Sequence, residues 1–148
     1  PILVSLGMSD LKDCDKIVNL LNKYSNDFCV MHTNSSYPAP NDQLNLSLIP
    51  FFINRYDCPV GYSGHEIDLE PSVIASILGA NVIERHVTLD HNMWGSDHKA
   101  SLEVHAMDIL RKRIISVREA LGNPEKKIFE SEAPFIQKLK NNNISKNL

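Results

Sequence analysis

Short apolar runs alternate with amphipathic segments four times along the chain, and a polar or glycine-containing turn separates each pair. Short apolar runs are typical of buried strands, and apolar positions repeated every three or four residues are typical of helices. Strands joined through a helix run parallel. The pattern therefore predicts four βα units with strands at residues 2–4, 28–31, 59–62 and 81–83.

The helices of these units have recognisable ends. Ser9 is expected to cap the first helix, and Gly122 and Pro124 are expected to stop the last one. Pro50 makes the second helix the least regular of the four, because proline inside a helix removes a hydrogen bond. The predicted helices after the first cover residues 44–55, 71–80 and 104–121, and a long loop is expected at 88–103.

Four βα units are half of an eight-stranded (β/α)8 TIM barrel, which is the fold that we predict. A four-stranded open sheet is the alternative, and the absence of a GxGxxG motif after any strand excludes its dinucleotide-binding form. The apolar run that directly follows Pro1 suggests a fragment. Residues 1–124 are then the C-terminal half of the barrel, and the polar residues 125–148 a linker or tail toward a further domain.

The composition speaks against nucleic-acid-binding and membrane-spanning proteins. The chain has 148 residues, 43% hydrophobic and 22% charged, with a formal charge of −3. This charge provides no basic surface for nucleic acid, and no apolar run reaches the length of about 18 residues that crosses a bilayer. Three cysteines without CxxC spacing indicate reduced thiols. We expect a cytoplasmic protein that acts on small molecules, with no nucleic-acid or membrane partner.

Two histidines, His65 and His86, follow the third and fourth strands. The carboxyl ends of parallel strands meet at one edge of a sheet, where α/β proteins bind ligands. Two imidazoles at this edge could hold a divalent cation and leave positions free for water and substrate. Either histidine alone would more often be a structural residue, and only the pair makes a metal site a serious hypothesis.

Serines lie at or after the ends of the first three predicted strands. Ser5 follows the first strand, Ser35 lies in the loop after the second, and Ser63 precedes His65. Hydroxyls suit phosphate or carboxylate oxygens, although each serine could equally satisfy its own turn. Tyr37 could plug the barrel mouth, and Asp97 could simply cap its loop.

Five segments in order resemble the sialic acid synthase family, which comprises the N-acetylneuraminate synthases and their relatives. The resemblance covers residues 1 to about 132, and five motifs in order are more specific than any one of them. The segments are SLGMSD at 5–10, SSYPAP at 35–40, GYSGHE at 61–66, ERHVTLD at 84–90 and GSDHKASLE at 95–103.

This resemblance implies a TIM-barrel enzyme that condenses phosphoenolpyruvate with an N-acyl hexosamine such as N-acetylmannosamine and releases phosphate. It implies that His65 and His86 bind Mn²⁺ or Mg²⁺ and that these two histidines and Asp97 are catalytic. Tyr37 and Asp97 match residues that contact the sugar. Ser5 and Ser63 match residues that hold phosphoenolpyruvate, and Ser35 stands where many members have asparagine. Glu66 stands where bacterial members commonly have threonine.

The resemblance also implies a homodimeric parent protein, and this chain alone is expected to be inactive. The first half of the barrel, which carries lysines and glutamates of the site in the family, lies outside it. One alternative is a non-catalytic half-barrel from a split gene, which pairs with a second polypeptide through its open edge. Another is an unrelated barrel hydrolase or aldolase, against which the order of the five motifs speaks.

Overall fold

The computed structural model describes residues 1–144 of the chain. Its main sheet has four parallel strands in the order β1-β2-β3-β4. Because parallel crossovers are almost always right-handed, an order without reversal places the connecting helices on one face, as in a barrel. The strands are β1 (Ile2–Ser5), β2 (Phe28–Thr33), β3 (Val60–Gly64) and β4 (Val82–Arg85). The helices are α1 (Leu11–Tyr24), α2 (Leu48–Arg55), α3 (Glu70–Ile77) and α4 (Val104–Leu121).

The four predicted βα units are thus confirmed, and they form a parallel half-barrel. The core lies between the sheet and its helices, where Val30 and Val60 of the central strands pack with Ile49 of α2, all three fully buried. Burying one such side chain stabilises the fold by about 1.5–3 kcal/mol. On the opposite face Met31 covers Gly61 so closely that a Cβ there would lie 2.3 Å from the Met31 sulfur.

The start of α1 differs from the sequence prediction. Asp10, and not Ser9, is the N-cap, because its carboxylate accepts a hydrogen bond of 2.9 Å from the Asp13 backbone N–H. Ser9 instead donates its hydroxyl to the Gly7 carbonyl oxygen in the preceding turn. The prediction of Ser9 as the cap is therefore wrong, and the helix begins at Leu11.

The second helix also begins later than predicted, at Leu48 and not at residue 44. Pro50 consequently lies in the first turn, where a backbone N–H has no intrahelical partner to lose. The residues before the helix form a separate 3₁₀ turn, Asn41–Gln43.

The predicted loop at 88–103 is more ordered than expected. Two short strands, β5 (Val87–Thr88) and β6 (Leu102–Glu103), pair in parallel at its two ends. The backbone N–H of Leu102 also donates to the His86 carbonyl oxygen at 2.7 Å. The loop is thus closed at its base, directly beside His86.

The polar stretch after Pro124 contains a fifth helix, α5 (Ala133–Ile144). Its apolar residues Phe135 and Leu139 are both 64% exposed, so the helix forms without joining the core. The stretch that is predicted to be a linker or tail thus contains a helix. The domain boundary near residue 124 stays a prediction, and residues 145–148 lie outside the described part. Among residues 1–144, none of the helices combines the length and the apolar character that a membrane crossing requires.

Candidate active site

The sheet brings the two strand-end histidines together. Gly64 and Arg85 are register partners at the carboxyl ends of β3 and β4, and His65 and His86 are the next residues. Their ring centroids are 5.3 Å apart, and the rings meet edge to face. The proximity expected from the strand pattern is present in the structure.

His65 is fixed by the loop after β2. Its Nδ1 lies 2.6 Å from the Asn34 carbonyl oxygen, which can only accept a hydrogen bond. Nδ1 therefore carries the proton, and the lone pair of Nε2 faces the site. The Ala39 N–H donates to the His65 carbonyl oxygen at 2.9 Å, so the loop holds this histidine from two sides. A ring N–H bonded to a carbonyl is the usual second contact of a metal-binding histidine.

Tyr37 lies between the two imidazoles. Its ring stacks on His65 at 4.1 Å, and its hydroxyl oxygen is 2.9 Å from Nε2 of His65 and 3.2 Å from Nε2 of His86. Partial burial, followed by the nearby Asp97 and Glu84 carboxylates, raises the pKa of Tyr37 and keeps the hydroxyl protonated. The two Nε2 atoms thus face one point, and the Tyr37 hydroxyl oxygen occupies this point.

Asp97 lies on the outer side of His86, with its Oδ2 3.9 Å from Nδ1 of that ring. Both side chains are partly exposed and line a cavity of about 320 Å³ together with the Gly95–Ser96 turn. The Ser96 hydroxyl donates to Oδ1 of Asp97 at 2.7 Å. The structure therefore places Asp97 beside the histidine pair, at the edge that faces solvent.

The three predicted phosphoenolpyruvate-binding serines are more dispersed. Ser63 is buried beside the pair and donates its only proton to the Glu84 carboxylate at 2.7 Å, so it must turn away from Glu84 to donate to an anion. Ser5 ends the outermost strand and is exposed. Ser35 packs against Gly7 in the turn after β1. It lines an open cleft of about 770 Å³ that includes neither histidine of the pair.

The other histidines have partners elsewhere. His32 is buried, its Nε2 lies 2.7 Å from the Leu44 carbonyl oxygen, and burial lowers its pKa. His98 contacts the Thr88 hydroxyl through Nδ1 at 2.7 Å. Among the described residues, no three His, Cys, Asp or Glu side chains form a group that could hold a metal ion. The chain thus offers two nitrogen donors, and water and substrate would have to supply the other ligands.

Sequence reasoning missed several residues that shape this site. Asn34 acts through its backbone carbonyl, which leaves no signal in a sequence. Glu84 holds Ser63, and its position opposite Ser63 follows only from the strand register. Glu66 and Arg85 form a buried ion pair, and the sequence signal was a residue of opposite charge next to each of the two histidines.

Comparison with known proteins gives one consistent result. The NeuB family matches residues 1–126. The chain is 35% identical over 147 residues to the N-acetylneuraminate-9-phosphate synthase of Homo sapiens, which covers 99% of this chain and 41% of that protein. It is 35% identical to the N,N'-diacetyllegionaminic acid synthase of Campylobacter jejuni, over 98% of this chain and 44% of that protein.

A solved structure agrees with these relatives. The N-acetylneuraminic acid (sialic acid) synthetase from Leptospira borgpetersenii, crystallised with citrate, superposes with a TM-score of 0.80 at 30% identity. The match covers 91% of this chain and 47% of that one. The chain thus spans less than half the length of the relatives that it matches.

Proposed function

Because this chain belongs to the NeuB family of sialic acid synthases, we propose that it supplies the metal-binding half of a synthase active site in a (β/α)8 barrel. The reaction proposed is the condensation of phosphoenolpyruvate with an N-acyl hexosamine such as N-acetylmannosamine, with release of phosphate. The observation that carries this proposal is the convergence of Nε2 of His65 and Nε2 of His86 on one point at the carboxyl edge of the sheet.

The donor set fits a divalent cation, Mn²⁺ or Mg²⁺. The Asn34 carbonyl fixes the tautomer of His65, so that a neutral nitrogen lone pair faces the convergence point. A cation bound there would act as a Lewis acid that polarises the sugar aldehyde. The Tyr37 hydroxyl would have to leave the point to make room, and it would then be free to bond a sugar hydroxyl.

Each remaining residue of the site would contact one of the two substrates. Asp97 lies beside His86 at the solvent edge, where its carboxylate could orient sugar hydroxyls. Ser5, Ser35 and Ser63 would donate to phosphoenolpyruvate from the ends of the first three strands. A trianionic substrate also needs cations, and in this proposal they come from the other half of the barrel. The parent would be a homodimer in the cytoplasm.

The test uses the completed barrel, by which we mean this chain expressed with the segment encoded immediately upstream of Pro1, fused or as a second polypeptide. Phosphate release is measured with phosphoenolpyruvate and either N-acetylmannosamine or its 6-phosphate, before and after metal removal with EDTA. The product is identified by mass spectrometry as a nine-carbon 3-deoxy-2-keto acid. We expect metal-dependent phosphate release with one of the two sugars.

Two variants assign the activity to this site. His65→Ala and His86→Ala should each lower kcat by at least ~10²-fold and weaken Mn²⁺ binding, because each removes a ligand of the ion. His91→Ala, an exposed histidine of the same loop region, is the matched control and should leave both quantities unchanged. Metal-independent activity, or full activity of the histidine variants, would contradict the proposal. A folded completed barrel that binds metal but releases no phosphate would favour the non-catalytic module.

A further inference from the structure

Two buried residues that are adjacent in the chain to His65 and His86 form an ion pair. Nη1 of Arg85 is 3.0 Å from Oε1 of Glu66, and both side chains are fully buried. Glu66 follows His65 in the chain, and Arg85 precedes His86. The pair therefore connects the two strand ends at the positions nearest to the imidazoles.

The guanidinium makes more than one bond to the segment after His65. Nη1 of Arg85 also donates to the Asp68 carbonyl oxygen and to the Ser72 hydroxyl, each at 3.1 Å, and Nη2 donates to the Glu66 carbonyl oxygen. The Arg85 side chain, at the end of β4, thus holds the backbone of residues 66–68, which follow His65.

The carboxylate is equally constrained. Besides Arg85, Glu66 accepts hydrogen bonds from the Tyr62 hydroxyl at 2.8 Å and from the Ser72 hydroxyl at 3.0 Å. Tyr62 lies on β3, and Ser72 lies on α3. Glu66 consequently fixes the end of β3 relative to the helix that follows it.

Stability alone gives little reason to keep such a pair. Removing two charges from water is costly, and apolar residues of similar volume often replace a buried pair with equal or greater stability. Burial accordingly lowers the pKa of Arg85. What the planar guanidinium provides, and an apolar pair lacks, is a set of fixed directions between two backbone segments.

We propose that Glu66 and Arg85 form a positioning pair that sets the separation and orientation of His65 and His86 for a divalent cation. This inference rests on the proposed function, because it takes the histidine pair to be a metal site. Neither Glu66 nor Arg85 contacts the cation; both act through the backbone of the adjacent histidine.

The test compares two double variants of the completed barrel. Glu66→Met with Arg85→Met removes the pair and fills its space with apolar atoms of similar volume. Asp15→Asn with Arg55→Met removes a bidentate ion pair that joins α1 and α2 and does not contact the histidines, and it serves as the matched control. Mn²⁺ affinity is measured from the electron paramagnetic resonance of free Mn²⁺, and Co²⁺ geometry from its visible absorption.

We expect the Glu66/Arg85 variant to bind Mn²⁺ about 10- to 100-fold more weakly, the usual effect of losing residues that support metal ligands. Its Co²⁺ spectrum should change while its near-UV circular dichroism stays native at the assay temperature. The control should keep both affinity and spectrum. An unchanged Mn²⁺ affinity in the Glu66/Arg85 variant, or an equal loss in the control, would overturn the inference.

Two single variants keep the inference testable if the double variant fails to fold. Glu66→Gln keeps the shape of the side chain without its charge, and Arg85→Lys keeps the charge without the planar fork. Both should weaken Mn²⁺ binding, and full affinity in Arg85→Lys would contradict the positioning role. If His65→Ala leaves Mn²⁺ binding intact, the proposed function fails as well. If His65→Ala weakens binding and the Glu66 and Arg85 variants do not, only this inference fails.

Discussion

The two histidines of the site have the same chemistry but different surroundings. His65 is 7% exposed and is held by the Asn34 carbonyl, the Ala39 N–H and the Tyr37 ring. The His86 side chain is 37% exposed, and its Nδ1 lies 3.9 Å from the Asp97 carboxylate, which is beyond hydrogen-bond distance. The ring of His65 is thus held through both nitrogens before any ligand arrives, whereas the ring of His86 is held only through Nε2 by the Tyr37 hydroxyl among the described residues.

Tyr37→Phe would separate the proposed metal binding from the proposed sugar binding. The substitution keeps an aromatic ring that can stack on His65. It removes only the hydroxyl, whose oxygen lies at the point that the two Nε2 atoms face. We expect Mn²⁺ affinity of the completed barrel to stay the same or to rise, and KM for the amino sugar to increase. Isothermal titration with Mn²⁺ and steady-state kinetics measure the two effects. A clear loss of Mn²⁺ affinity would show that the hydroxyl supports the metal site.

Ser63→Ala tests the predicted contact with phosphoenolpyruvate. Loss of a hydroxyl donor to an anion costs about 1.5–3 kcal/mol, which corresponds to a roughly 10- to 150-fold increase in KM for phosphoenolpyruvate. KM for the amino sugar should change much less. Ser76→Ala, a buried serine of α3 that donates to the Val73 carbonyl oxygen, is the control. Equal effects on both substrates would mean that Ser63 mainly holds Glu84.

At the scale of elements, one polar cluster joins α1 to the end of α2 on the outer side of the sheet. Nε and Nη2 of Arg55 donate to the two carboxylate oxygens of Asp15 at 2.8 and 2.6 Å, and the Tyr56 hydroxyl donates to the same carboxylate at 2.9 Å. These bonds lower the pKa of Asp15 to about 2, with the Arg55 hydrogen bonds as the largest cause.

This cluster predicts a pH dependence of stability. A carboxyl whose pKa is lowered by folding stabilises the folded state fully above its ordinary value, 3.8 for Asp15, and loses this contribution as the pH falls through about 2. Asp15→Asn should therefore lower the urea midpoint of the completed barrel at pH 6. The difference from the unmodified protein should shrink between about pH 4 and pH 2. A difference that is constant over this range would show that Asp15 acts through packing and not through its charge.

At the scale of the whole molecule, the main sheet is open at both sides within residues 1–144, because β1 and β4 each pair with one neighbour. The edge strand β1 exposes Ile2 and Leu3 at 44% and 53%. Trp94 in the loop between β5 and β6 is 98% exposed. Met31 and Cys29 are buried on the face away from the helices, so this face exposes less apolar surface than the strand pattern alone suggests.

Residues 1–148 expressed alone should be aggregated, molten or dimerised through the open edges, and should not turn over substrate. Unpaired strand edges and exposed apolar side chains favour association with another chain. At ~25 cal/mol per Å², roughly 400 Å² of apolar surface corresponds to about 10 kcal/mol, comparable to the stability of a whole domain. Size-exclusion chromatography and near-UV circular dichroism check this, and a sharply folded monomer would contradict it.

Local patterns were enough for much of the architecture. The four βα units follow from hydrophobic periodicity, and the bounds of α4 follow from that periodicity and from Gly122. The spacing of apolar residues within a helix or strand depends only on neighbours a few positions away, so it can be read from the sequence. Where two local signals compete, the sequence is less decisive. Ser9 and Asp10 can both cap a helix, and in the folded chain Asp10 caps α1 while the Ser9 hydroxyl bonds the Gly7 carbonyl oxygen.

The sequence also placed His65 and His86 at one edge, because parallel strands leave no other choice for residues at their carboxyl ends. Only the tertiary structure decided how these histidines are held. The Asn34 carbonyl, the Tyr37 hydroxyl between the rings and the Glu66–Arg85 pair join segments that are 19 to 49 residues apart in the chain. Such contacts depend on strand register and loop path, and neither is set by interactions between residues close in sequence.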